Sequence, residues 1–282
     1  MMSLRSCKNT IFIWRKGEIA VLLHAKKTNI MEQKAFQFEV CANGVESCLA
    51  AQAGGADRVE LCAGIPEGGT TPSYGEILVA RRVLKETRLH VIIRPRGGDF
   101  LYTPLELERM EHDIEAARQL GADGVVFGCL HEDGTIDLEA NRRLMEKAKG
   151  MSVTFHRAFD RCRDPHEALE QLIELGFDRI LTSGQQPKAI EGAPLLRQLH
   201  EEAAGRITLL AGCGVNEDNI RPLYELTGIR EYHFSAREAV KSKMTWSNPE
   251  VFMGDPDADE DTLLYTTERR VRATIAQLTA RE

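Results

Sequence analysis

The sequence predicts a single-domain α/β protein, a (β/α)8 TIM barrel. Two observations carry this. From residue 36 onward, short runs rich in Val, Ile, Leu, Phe and Tyr alternate eight times with amphipathic segments, the pattern of buried parallel strands joined by crossover helices. The segments GGAD, LGAD and LGFD also recur just before the second, fourth and sixth runs, placing helix-stop and turn signals at equivalent points. Eight such units over about 200 residues suit a closed barrel. An open doubly wound sheet is the alternative, but no GxGxxG follows the first run.

The expected strands, in order, are FQFEVCA (36–42), RVELCA (58–63), HVIIRPR (90–96), GVVFGCL (124–130), SVTFHRAF (152–159), RILTSG (179–184), ITLLAGCG (207–214) and EYHFSAR (231–237). Between them, Leu107, Met110, Ile114, Ala117 and Leu120 recur at three- and four-residue intervals and give one apolar helix face. Gly121 then supplies a left-handed stop. Residues 167–176 repeat the pattern, with Asp164 as N-cap and Pro165 at the first helical position. Residues 242–261 read as a long loop, and LLYTTERRVRATIAQL as the closing helix. The acidic run 255–261 lacks the alternating ligands and central Gly of a calcium loop and reads as solvated.

Residues 1–33 are expected to stand outside the barrel of residues 34–282. They form either a disordered appendage or the product of an upstream start-site error, with Met31 as the natural start. The apolar stretches there are broken by Arg15, Lys16 and Glu18 and are too short to span a bilayer. A formal net charge of −7 disfavours nucleic acid as a partner. The seven cysteines (Cys7, Cys41, Cys48, Cys62, Cys129, Cys162 and Cys213) are odd in number and contain no CxxC pair. They imply reduced thiols in the cytoplasm rather than a disulfide framework or a zinc knuckle.

Barrel enzymes carry their chemistry at the C-terminal ends of the strands. Residues two apart on a strand share a face, so Glu39 with Cys41, Glu60 with Cys62, and Arg94 with Arg96 are expected to point together. Glu39, Glu60, His156 and Asp160 are candidates for acid–base catalysis. Arg94 and Arg96 offer guanidinium forks for an anion. Ser183, Gly184, Gly212, Gly214 and Ser235 could supply phosphate-binding backbone N–H groups, and His233 completes the ligand-binding set. A small phosphate- or carboxylate-bearing substrate for an enzyme is one reading of this collection.

The strand-end motifs EVCANGVES, GADRVELCAG, EGGTTPS, VIIRPRGGDF, GADGVVFG, TFHRAFD and RILTSG closely resemble the CutC copper-homeostasis family, from about Phe36 to Phe252. The resemblance implies a cytosolic TIM barrel, often a homo-oligomer (dimer or tetramer), linked to copper tolerance or Cu(I) binding. Cu(I) favours soft sulfur ligands. Cys41 and Cys62 occupy matching places in EVC and ELC on the first two strands, about 4.8 Å apart in a sheet, and are the expected metal ligands. The competing readings are thus a copper-binding protein and an enzyme for an anionic small molecule.

Overall fold

The computed structural model describes residues 11–15, 18–22, 35–248, 250, 251, 253 and 259–280. It divides into two units, residues 1–35 and 36–282. In the first, β1 (Ile11–Arg15) and β2 (Glu18–Leu22) pair antiparallel, Ile11 opposite Leu22. Met31 lies outside the described residues.

The second unit is the expected barrel. Its strands are β3 (Gln37–Ala42), β4 (Arg58–Leu61), β5 (Arg88–Ile92), β6 (Gly124–Phe127), β7 (Ser152–Phe155), β8 (Arg179–Thr182), β9 (Thr208–Gly212) and β10 (Glu231–Phe234). They pair in parallel in chain order, and β10 closes on β3. The helices α1 (Val45–Gly54), α2 (Tyr74–Val83), α3 (Pro104–Gln119), α4 (Leu138–Lys147), α5 (Pro165–Leu175), α6 (Ala193–Ala203) and α7 (Ile220–Thr227) make the seven crossovers. On α3, Met110, Ile114 and Ala117 are buried and Leu107 and Leu120 partly so, as the periodicity requires. Asp164 caps α5 by accepting from the N–H groups of His166 and Glu167.

The recurring Gly-X-Asp segments have a common physical role. Asp57, Asp123 and Asp178 each precede an even-numbered barrel strand. Each accepts through Oδ2 the first free strand N–H of its neighbour: from Phe38 at 2.9 Å, from Leu89 at 2.8 Å and from Val153 at 2.7 Å. Each also donates its own N–H to the carbonyl of that same residue. The pairs pin strand register at the bottom of the barrel, the stability face.

Most apolar side chains pack between strands and helices. Inside the barrel lies a polar layer. Glu39, Arg58 and His90 are buried there, and Arg58 donates to both Glu39 and Glu231, the latter at 3.0 Å. Arg179 joins Glu231 at 3.1 Å and Ser152 Oγ at 2.6 Å. Gly124 makes room for this layer: a Cβ there would stand 2.5 Å from His90 Nε2.

Several expected boundaries are corrected. β5 ends at Ile92, so Arg94 and Arg96 lie in the following loop, where strand alternation no longer sets direction. β7 ends at Phe155, and Arg157–Arg161 form a 3-10 turn. The eighth barrel strand stops at Phe234; Ala236 takes φ 47° and turns the chain into β11 (Arg237–Lys241). That strand pairs antiparallel with β12 (Thr262–Thr266), which the sequence reading assigned to the closing helix. The helix α8 (Glu268–Thr279) begins only where Thr267 Oγ1 accepts the N–H of Arg270. Residues 255–258 of the acidic run lie outside the described residues.

The buried ion network makes a testable claim. Arg58→Leu leaves Glu39 and Glu231 without their shared cation, and removing one partner of a buried pair costs about 3–5 kcal/mol. Urea unfolding monitored by circular dichroism should show a loss of this size; a change below about 1 kcal/mol, the range of exposed pairs, would contradict it.

Candidate metal and ligand site at the barrel mouth

A cavity of about 340 Å³ opens at the C-terminal end of the strands. Its lining includes Cys41, Glu60, Cys62, Arg94, His156, Asp160 and His233, from six of the eight strands or the loops after them once Leu181 is counted. Two of its walls differ in chemistry.

On one wall, β3, β4 and β10 bring sulfur, carboxylate and imidazole together. Cys41 Sγ and Cys62 Sγ are 3.9 Å apart and hydrogen-bonded. His233 Nδ1 meets Glu39 Oε1 at 2.7 Å, and its Nε2 stands 3.7 Å from Glu60 Oε2. Ligand atoms of Cys41, Glu60 and His233 all lie within 4.8 Å of one another. Arg237 Nη2 donates to Cys41 Sγ at 3.2 Å.

These contacts sort the charges. The hydrogen bond from Cys62 lowers the Cys41 thiol well below its usual range against the opposing effect of burial, and His233 and Arg237 add to the lowering. Cys62 moves the other way, raised by Cys41 and by burial. Burial also opposes charge on Glu39, yet Arg58 and then His233 hold it well below the carboxylate range. Glu60 has no guanidinium partner; burial, with Cys41 and Glu39 nearby and against the lowering pull of His233, pushes it up to about 8. His233 resists burial and is raised by Cys41, Glu39 and Glu60. These contacts favour a thiolate at Cys41 and a protonated His233, oriented by the buried Glu39 carboxylate. A carboxylate behind a histidine is the arrangement that aims the distal nitrogen at a metal.

The donor set fits a soft ion. Two sulfurs 3.9 Å apart can reach one ion through bonds near the zinc–sulfur length of about 2.3 Å, and sulfur is the ligand Cu(I) prefers. Cys41 and Cys62 would hold it, with His233 Nε2 and Glu60 within reach.

The other expected site residues divide. His156 lines the opposite wall, its ring 4.9 Å from that of Phe100; burial, reinforced by Arg94, lowers it to about 3. A histidine so far below neutrality stays uncharged and is a poor base. Asp160 is saturated: its oxygens accept from Arg157 Nε, Thr182 Oγ1, Ser183 N and Oγ, and Gln185 N. It organises the loop after β8 and has no lone pair left for a substrate. Arg94 is buried, with Nη1 donating to the carbonyls of Glu67 and Gly69 and Nη2 to that of Gly98. It ties two loops together instead of presenting an open fork. Arg96 turns away from the cavity to Glu106 and Asp99.

Ser183, Gly184, Gly212, Gly214 and Ser235 are absent from the cavity lining. The N–H groups of Ser183 and Gly184 are taken by Asp160 and Thr182 Oγ1. Gly184 and Gly192 approach so closely that a Cβ on Gly192 would fall 1.9 Å from the Ser183 carbonyl oxygen; steric closeness explains that glycine pair. Four residues outside the expected site matter. Arg58 shares the inner face of β4 with Glu60, a position the same two-residue alternation reveals. Arg237 reaches Cys41, and Arg157 and Arg161 line the mouth. The last two follow His156 in a turn, which strand periodicity does not report.

Fold and site together define a class: a TIM barrel whose mouth joins a polarised thiol pair to a histidine held by a buried carboxylate. Residues 36–238 match the model of the CutC family, and the chain belongs to that family. A CutC family protein of Bacteroides thetaiotaomicron is 67% identical over 243 residues, 86% of this chain and 98% of the relative. A human relative named copper homeostasis protein cutC homolog is 49% identical over 219 residues, 78% of this chain and 80% of the relative. A solved CutC structure from Streptococcus agalactiae superposes with a TM-score of 0.69 at 37% identity, covering 71% of this chain and 98% of that one.

The charge pattern predicts thiol reactivity. Cys41 should be alkylated by iodoacetamide at a rate nearly flat from pH 8 down through neutrality, because its thiolate persists below the usual thiol range. His233→Phe should raise the Cys41 pKa and slow the reaction at pH 7 by about tenfold or more, one pKa unit being tenfold in thiolate. Cys48 and Cys162, pushed up by burial to about 12, should remain unreactive. Mass mapping of the labelled sites checks the assignment; equal rates in wild type and His233→Phe would refute it.

Proposed function

We propose that the protein is a cytoplasmic copper-homeostasis protein that binds Cu(I) through Cys41 and Cys62. The observation that carries this reading is the pair of sulfurs 3.9 Å apart, one of them favoured as thiolate by His233 and Arg237. A site that already favours one thiolate has less proton affinity for the metal to overcome. The copper-homeostasis name of the human relative supports the same reading. So does the cysteine usage, seven in number and without a CxxC pair, which suits a reducing cytoplasm. No helix among the described residues is long and apolar enough to cross a membrane. Assembly as a homo-oligomer, dimer or tetramer, belongs to the same proposal.

Copper is cargo in this reading and not a catalyst. The pair lies inside a cavity and not on an exposed loop, so exchange with a partner requires access through the mouth.

An anaerobic Cu(I) titration against a competing chelator tests the proposal. One ion per chain should bind tightly to the wild type, and Cys41→Ser/Cys62→Ser should abolish that binding. Arg94→Ala, which alters a loop tie and no proposed metal ligand, should leave the Cu(I) affinity within about threefold. Weak binding, or binding unchanged in the double mutant, would remove the thiol pair as the copper site.

A further inference from the structure

The wall facing the thiols has an unmet demand of its own. His156 is buried, and its Nδ1 accepts the N–H of Ala158 at 3.3 Å. In the neutral ring the proton therefore sits on Nε2, and Nε2 has no hydrogen-bond partner. A buried donor left unpaired is costly, and native structures pair such groups with protein, water or a ligand. Whatever meets this atom must be an acceptor.

The surroundings say what kind. Arg157 and Arg161, one and five residues beyond His156, line the same cavity. Arg157 is balanced by Asp160 through Nε, with Nη2 on Ser183 Oγ at 3.0 Å. Arg161 is exposed, and its side chain forms no ion pair or hydrogen bond among the described residues; the Asp99 carboxylate feels its charge from a greater distance. A neutral N–H donor and a guanidinium without a carboxylate partner among the described residues, lining one cavity, suit an oxyanion. Ile92, Phe100 and Leu181 supply an apolar surface between this wall and the thiols.

We propose that the mouth of the barrel binds a small organic oxyanion, a carboxylate or a phosphate, with its charged end on His156 Nε2–H and Arg161 and its body against Ile92, Phe100 and Leu181. The cavity volume of about 340 Å³ lies at the small end of the range of ligand pockets and suits a small molecule. The site is assembled from residues other than the expected anion forks, since Arg94 is engaged by backbone carbonyls and Arg96 lies outside the cavity. It uses neither Cys41 nor Cys62, so it stands whether or not copper binds.

Calorimetric titration of the metal-free full-length chain with inorganic phosphate and with malonate, at constant ionic strength against chloride, tests the site. One of the two oxyanions should bind saturably at one site per chain while chloride does not. Phosphate alone binding identifies a phosphoryl group as the recognised end, and malonate alone identifies a carboxylate. Arg161→Glu, at an exposed position, and His156→Phe, which keeps the ring against Phe100 but removes the donor, should each weaken binding at least tenfold. If His156→Phe does not fold, Arg161→Glu decides alone. Absence of saturable binding by either anion up to tens of millimolar, or affinity unchanged in either folded variant, overturns the proposal.

Discussion

Glu39 has no solvent exposure, and its negative charge is tolerated inside the barrel because Arg58 and His233 meet it from two sides. The register makes this possible: Glu39 lies opposite Arg58 on β4 and opposite His233 on β10. A lone carboxylate so placed would be protonated or expelled. With both partners it becomes a fixed point from which the polar interior is organised. Downward, Arg58 passes to Glu231 and Arg179. Upward, His233 turns its second nitrogen toward Glu60 and Cys41. The seam where the barrel closes is therefore also where the site is aimed.

That arrangement explains why two cysteines in similar sequence settings behave differently. EVC and ELC place Cys41 and Cys62 alike, but Cys41 faces His233 and Arg237 while Cys62 faces the carbonyl oxygen of Glu60 at 3.6 Å. The two carboxylates differ for the same reason: Glu39 has a guanidinium and Glu60 does not. Neighbouring groups driven in opposite directions are a mark of functional sites, and both pairs lie within one wall of the mouth. The facing wall offers hydrogen-bond donors, so the cavity presents soft and hard recognition side by side.

The barrel was legible because its signals are repeated: eight apolar runs, the helix faces, and the Gly-X-Asp segments that pin alternate strands. The thiol pair was legible because parallel neighbours in register bring like motifs together. Two arginines lie elsewhere than expected for a definite reason. Strand alternation was carried past the end of β5, to Arg94 and Arg96, where a loop sets direction. Conversely, alternation extended backward from Glu60 would have found Arg58. The β11–β12 ribbon pairs residues far apart in sequence, Val240 with Leu263, and its short strands resemble a loop and a helix start when read locally. The tautomer of His156 depends on an N–H two residues along a turn, which no periodicity encodes.

The central claim is that Cys41 and Cys62 are the atoms that hold copper. X-ray absorption at the copper edge on the anaerobically loaded full-length chain tests it most directly. The account predicts two sulfur neighbours per copper, with His233 as the one histidine nitrogen among the described residues placed to join them, and loss of sulfur scattering in Cys41→Ser/Cys62→Ser. A coordination shell made only of nitrogen and oxygen, or a sulfur shell that survives the double substitution, would contradict it.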